Sequence, residues 1–241
     1  MTVVLQDYEQ AIKNIQSLKQ GFRGRVNIGM GIYESDFVSL LLKEFHTKHQ
    51  DFKVTLGEFS YNQLSEMIAK GDLDLAFTNS FLAGEIMNGN MRNVKIYDLF
   101  HTDACAIVNS KHDLAQKKCV TKNDINNKSV LLYNDHNKVS IARLAELDIH
   151  VCDMIQFNSF PVLISMVRAN YGIGFVPDFV KSDLPLDVVM IPQTIFRPGR
   201  FFMLASCLHN NPASEYFMNI VEVFLKMWKR SSSPNMPYSE K

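Results

Sequence analysis

The stretch QLSEMIAKGDLDLAF, Gln63–Phe77, changes periodicity at one glycine. Upstream, Leu64, Met67 and Ile68 recur at helical spacing, so Asn62–Lys70 is expected to form an amphipathic helix. Gly71 supplies the left-handed stop that such a helix needs, and Leu73–Phe77 then reads as a strand. Working outward, Phe52–Phe59 alternates with a period of two, placing Val54 and Leu56 on one face of a strand. Before it, Phe37, Leu40, Leu41 and Phe45 mark a helix over about Asp36–His49, and Arg25–Gly29 (RVNIG) reads as a further strand. The unit is βαβαβ. Right-handed crossovers make its three strands parallel, with ligand-accessible loops at their carboxyl ends.

Downstream, Phe81–Asn93 is rich in Gly, Asn and Met without clear period, and Val94–Phe100 and Ala104–Val108 give two more strands. A second α/β set follows: strands at Ser129–Tyr133, Val151–Phe157 and Gly172–Val176, with helices at Ser140–Leu147 and Phe160–Ala169 between them. Strands at Val188–Ile191 and Phe201–Ser206 and a helix from Pro212 to about Trp228 complete the globular part, and residues 231–241 read as a disordered tail. Near the start, Leu5, Tyr8, Ile12, Ile15 and Phe22 trace a helical seam broken at Lys19; it suits pairing with a partner chain or docking on its own core.

Lys plus Arg and Asp plus Glu both number 25, so overall charge gives no electrostatic footprint for nucleic acid or an anionic membrane. No apolar run approaches the ~20 residues of a bilayer helix, and no secretory leader pattern opens the chain. Cys105, Cys119, Cys152 and Cys207 form no CxxC pair, which suits reduced thiols in a cytoplasmic protein and argues against a disulfide framework or a zinc site. No metal or other cofactor is expected.

Over roughly Gly21–Lys229 the chain resembles the effector-binding domain of LysR-type transcriptional regulators. The resemblance rests on GRVNIG (Gly24–Gly29), LLKEFHTKHQDFKVTL (Leu41–Leu56), QLSEMIAKGDLDLAF, VNSKHDLA (Val108–Ala115) and ISMVRANYGIGFVP (Ile164–Pro177). There are departures: Asp113 stands where the family usually has Pro, Gln50-Asp51 replaces a Tyr-Pro, and Asn170 sits where Gly is preferred after a helix. Asn tolerates the left-handed conformation, so the last change is conservative.

The resemblance implies a two-lobed, type 2 periplasmic-binding-protein-like α/β fold, two Rossmann-like subdomains joined by two crossing segments. Residues 25–98 plus 199–230 would form lobe I and 99–198 lobe II, with 1–24 the remnant of a linker or dimerisation helix. It also implies a non-enzymatic sensor whose polar or anionic small-molecule effector sits between the lobes and controls how dimers or tetramers are arranged. DNA would be contacted only through a helix-turn-helix that residues 1–241 lack.

Candidate effector contacts follow from loop positions. Tyr33 and Ser35 lie in the loop opening the first helix, where Ser35 equally suits an N-cap. Thr78 and Asn79 follow the third strand and suit either a cleft or a plain turn. Ser159 and Phe160 open a helix whose free N–H groups would attract an anion, or Ser159 simply caps it. Phe175 reads first as a buried strand residue and second as pocket lining. Glu34 is expected beside the mouth of the first helix, repelling an anionic ligand or pairing with a cationic one.

The rival readings rest on less. Gly29-x-Gly31 suggests a dinucleotide enzyme, but Glu34 occupies the third glycine position. His101 with Asp103, and Asp135 with His136, lack an accompanying nucleophile signature. A transport receptor would share the fold, and a Cys105–Cys119 redox switch has no electropositive setting in the sequence.

Overall fold

The computed structural model describes residues 24–79, 93–133, 137–208 and 211–231. The seam expected over residues 5–22, most of the 81–93 stretch, Asp135 with His136, and the tail from 232 lie outside the described residues.

The opening βαβαβ unit forms as read. Strand β1 (Gly24–Met30) pairs in parallel with β2 (Phe52–Glu58) and β3 (Leu75–Asn79), separated by helices α1 (Ser35–Lys48) and α2 (Tyr61–Lys70). Helix α2 opens on a capping box, Gln63 N–H donating to Ser60 Oγ at 3.3 Å while Gln63 Oε1 accepts from Ser60 N–H at 3.0 Å, an arrangement worth about 1 kcal/mol. It ends on Gly71 at φ 78°. The strand after it starts two residues later than its hydropathy suggests. Asp72 and Leu73 N–H groups still bond back to Met67, and the Asp74 carboxylate accepts the Asn27 N–H at 2.7 Å, so the chain enters the sheet only at Leu75.

Two further strands complete this sheet, β4 (Val94–Thr102) and the much later β10 (Gly199–Ser206), in the order β2-β1-β3-β10-β4 among the described residues. Strand β10 is antiparallel to both neighbours. Helix α1 and the long α6 (Pro212–Ser231), which extends one residue into the expected tail, cover one face, with Val26, Ile28, Phe37, Phe45, Phe77 and Phe217 buried between.

The second lobe repeats the plan. Strands β5 (Ala104–Asn109), β6 (Ser129–Tyr133), β7 (Asp153–Phe157), β8 (Ile173–Pro177) and β9 (Val188–Pro192) order as β7-β6-β8-β5-β9, with β6 parallel to β7 and β8, and β5 antiparallel to β8 and β9. A one-turn α3 (Lys122–Ile125) precedes β6; α4 (Asn137–Glu146) and α5 (Phe160–Arg168) flank β7. Helix α5 is followed by Asn170 at φ 56°, the left-handed position anticipated for that residue. Strand β7 starts later than expected because the Cys152 N–H bonds to Lys128 O before the ladder begins.

Asp103 alone separates β4 from β5, and residues 193–198 return from β9 to β10. Gln193 ties these crossings together: its Nε2 donates to Ala104 O (2.8 Å) and Phe196 O (2.9 Å), and its Oε1 accepts the Phe196 N–H at 2.7 Å. A 3₁₀ segment after β8, Asp178–Asp183, straps lobe II to lobe I. Its Phe179 ring packs edge-on to Phe201 (centroids 5.2 Å apart) and Phe100 (6.0 Å), and its Asp178 carboxylate accepts the Thr102 hydroxyl at 2.7 Å. Among the described residues no helix is long and apolar enough to cross a membrane.

Candidate functional site

The carboxyl ends of β3, β6 and β8 point toward the junction of the lobes, where a cavity of about 800 Å³ opens. Lobe I contributes Tyr33, Asn79, Thr102 and Gly199, the crossings contribute Asp103 and Phe196–Pro198, and lobe II contributes Ala104, Tyr133 and Phe175–Pro177 together with one face of α4. Walls drawn from both lobes and both crossings mean that a ligand spanning the cavity touches both of the parts that must move if the lobes close. The body of the cavity is apolar: Leu132, Val176, Pro177 and Pro198 line it, and Phe175 meets Phe196 edge-on at 4.7 Å.

One end is polar without charge. Glu34 is fully buried, its Oε2 accepting the Tyr33 N–H at 3.1 Å and its Oε1 lying 3.4 Å from the Asn79 amide nitrogen. That same amide donates to the Tyr61 hydroxyl at 2.6 Å. Burial pushes the Glu34 carboxyl up to about 8, the Tyr33 N–H opposing only part of the effect, so the protonated form predominates at pH 7. Burial likewise raises the Tyr33 and Tyr61 phenols. The charge expected at the mouth of the first helix is therefore absent. Glu34 neither lines the cavity nor carries a charge to repel or pair with a ligand; it props the Tyr33–Asn79 wall from behind.

This prop fits only over a glycine. A Cβ at Gly31 would stand 2.5 Å from Glu34 Oε2 and 2.7 Å from a Tyr61 ring carbon, both far inside contact distance. Gly31→Ala is expected to cost about 1–3 kcal/mol through overpacking and to displace the wall, checked by urea unfolding with tyrosine near-UV circular dichroism. A variant with unchanged stability and spectrum would refute the tight seating.

The other side is charged. Helix α4 presents Lys138, Arg143 and Glu146, and the returning crossing adds Arg197. Arg143 is committed, its Nε donating to Ile195 O at 2.8 Å and a terminal nitrogen pairing with Glu146 at 2.6 Å. This hydrogen bond, with the Arg197 charge adding to it, holds the Glu146 carboxyl below the ordinary range.

Of the residues singled out in the sequence, Tyr33, Asn79 and Phe175 line the cavity. Ser35 does not; the cap position falls on Glu34, leaving Ser35 as the first helical residue. Thr78 is fully buried on β3, and its hydroxyl has no hydrogen-bond partner among the described residues. Ser159 occupies the N-cap of α5 without a side-chain cap bond, and the Phe160 ring rests edge-on against Tyr33 at 5.7 Å. Tyr133, Lys138, Arg143 and Arg197 were not singled out. Each looks ordinary in its own stretch, and only the return of residues 193–198 against β6 and α4 brings Arg197 to the other three.

The rival chemistries gain nothing from the geometry. His101 lies against Arg200, 3.3 Å from its guanidinium, whereas Asp103 faces the cavity. The Cys105 thiol is pushed up to about 12, chiefly by burial, which removes thiolate at neutral pH. All four cysteines are free, and among the described residues no group of three or more His, Cys, Asp or Glu side chains is placed to hold a metal ion.

Comparison with known proteins gives one family, described as the LysR substrate binding domain, whose model matches residues 19–226. The HTH-type transcriptional regulator AlsR of Bacillus subtilis (strain 168) is 22% identical over 236 residues, covering 90% of this chain and 72% of AlsR. The effector-binding domain of QuiR in complex with shikimate superposes with a TM-score of 0.68 at 15% identity, over 85% of this chain and 98% of that one. The BenM effector-binding domain with its effector benzoate gives 0.71 at 14% identity, over 91% and 100%. At these identities the likeness establishes the fold.

Proposed function

Because this chain belongs to the LysR substrate-binding domain family, we propose that it is the sensing domain of a transcriptional regulator rather than an enzyme, and that a small effector binds in the inter-lobe cavity. One observation carries the reading: the cavity is walled by both lobes and both crossings, so its occupancy and the degree of lobe closure are linked. QuiR is known with shikimate and BenM with benzoate. Both compounds are carboxylates, and the cations at α4 and Arg197 suit a ligand of that charge.

Closure would be passed to partner subunits as a change in how dimers or tetramers pair. A helix-turn-helix elsewhere in the regulator would convert it into altered DNA contact, in the cytoplasm. Tyr33, Asn79 and Phe175 are proposed as direct effector contacts. Ser35, Thr78, Ser159 and Phe160 would be reached only if the lobes rearrange around the ligand.

Thermal unfolding in the presence of small carboxylates, benzoate and shikimate among them, with benzylamine as the cationic control, tests this. A ligand held only by the folded state at a hundred times its Kd stabilises by about 2.7 kcal/mol. A saturable rise in Tm with a carboxylate, absent with the amine and without turnover of the compound, is expected. Turnover of any of them would overturn the sensor reading in favour of an enzyme.

A further inference from the structure

The size and the charge layout of the cavity narrow the ligand, on the premise that the cavity is the effector site. At about 800 Å³ it has room for roughly two dozen waters, in the upper part of the range typical of drug-sized ligands. Its apolar surface is not gathered at one spot. Tyr33 and Tyr133, in edge contact, belong to one hydrophobic cluster and Phe175 and Phe196 pack against another, with Leu132 and Val176 also lining the cavity. A ligand gains from burial only over the apolar wall it covers. A single six-membered ring covers one of these patches and leaves the other facing water.

Charge gathers on α4 and the returning crossing, with Asp103 on the other crossing. The Tyr33–Asn79 end carries no lining charge: its buried acid does not line the cavity, and burial raises the Tyr33 phenol. Among the described lining residues three cations, Lys138, Arg143 and Arg197, stand against two carboxylates, Asp103 and Glu146. Since Arg143 is spent on Glu146 and Ile195 O, the cations able to turn to a ligand are the exposed Lys138 and Arg197. Their joint excess over Asp103 is one charge.

We infer that the cavity is built for an amphipathic monoanion whose apolar body is larger than one ring: a fused-ring or medium-chain carboxylic acid with its carboxylate between Lys138 and Arg197 and its body reaching the Tyr33–Tyr133 patch. Benzoate is then an undersized ligand for this chain. A dianion would exceed the charge available, and an uncharged body would forgo the cations.

Calorimetric titration of the purified chain with benzoate, 2-naphthoate, decanoate and 2-naphthamide distinguishes these. The inference expects 2-naphthoate and decanoate to bind about tenfold more tightly than benzoate, and 2-naphthamide about tenfold more weakly than 2-naphthoate. The double variant Lys138→Ala, Arg197→Ala should lose about tenfold for 2-naphthoate with no change for 2-naphthamide. Both positions are exposed, and a melting curve matching the wild type establishes that the variant is folded. Benzoate binding as tightly as 2-naphthoate, or the amide as tightly as the acid, overturns the inference while leaving the sensor reading intact. Failure of all four to bind overturns the inference and removes the support for carboxylate recognition as well.

Discussion

Glu34→Gln is expected to become progressively more stable than the wild type as pH rises from 5 to 8.5. The Glu34 carboxyl, ordinarily near 4.5, is pushed up to about 8 by complete burial. Below pH 4.5 both folded and unfolded chains hold the proton, and its contribution to stability is fully present. Between 4.5 and 8 the unfolded chain releases the proton while the folded chain keeps it, so wild-type stability falls with pH, and above 8 the loss is complete. The total is on the order of 5 kcal/mol. Glutamine keeps the size and an acceptor for the Tyr33 N–H but has nothing to ionise, so its profile lacks this decline. Urea unfolding of both proteins at half-unit pH steps measures the difference. Parallel profiles would show that Glu34 is already ionised in the fold, and the uncharged end of the cavity would go with it.

Phe37→Ala is expected to cost about 3–5 kcal/mol, measured as the loss in unfolding free energy at fixed pH. The ring is buried with centroids 4.9 Å from Phe201, 5.5 Å from Phe100 and Phe224, and 6.0 Å from Phe77, so it joins α1 to three strands and to α6 at once. Phe100 and Phe201, which stack 7° from parallel at 4.7 Å, also receive Phe179 from the strap. A hole at Phe37 therefore loosens the seat of the inter-lobe contact as well as the first core. A cost below about 1 kcal/mol would mean that neighbouring rings close over the vacancy and that the cluster does not anchor the strap.

How much of this was legible beforehand depends on the range of the forces involved. Helix α2 with its glycine stop, the parallel β1–β3 unit and the left-handed Asn170 are set by periodicity and local backbone chemistry, and they stand where the sequence put them. The start of β3 shifted because a tertiary bond, Asn27 N–H to Asp74, outweighs the hydropathy of Leu73. Glu34 was misread because its charge depends on burial supplied by residues far along the chain. Asn79, 45 positions away, and Tyr61 belong to elements whose approach no local pattern announces. Lys138 and Arg197 escaped notice for the same reason. The sensing fold was readable from short-range pattern, whereas the chemistry of its cavity is a property of contacts between segments.

Strand β10 sits between β3 and β4 in the first sheet although nearly a hundred residues separate it from β4, and those residues contain the whole of the second sheet. During synthesis the chain therefore finishes its lobes in reverse order. Residues 104–192 hold every strand of the later sheet and can close as soon as they leave the ribosome. The earlier sheet has to wait, β4 unpaired and one edge of β3 open, until residue 206 has emerged. Through that interval the nascent protein carries an exposed strand edge, the kind of surface on which chains aggregate, and the completed second lobe brings β10 back to close it.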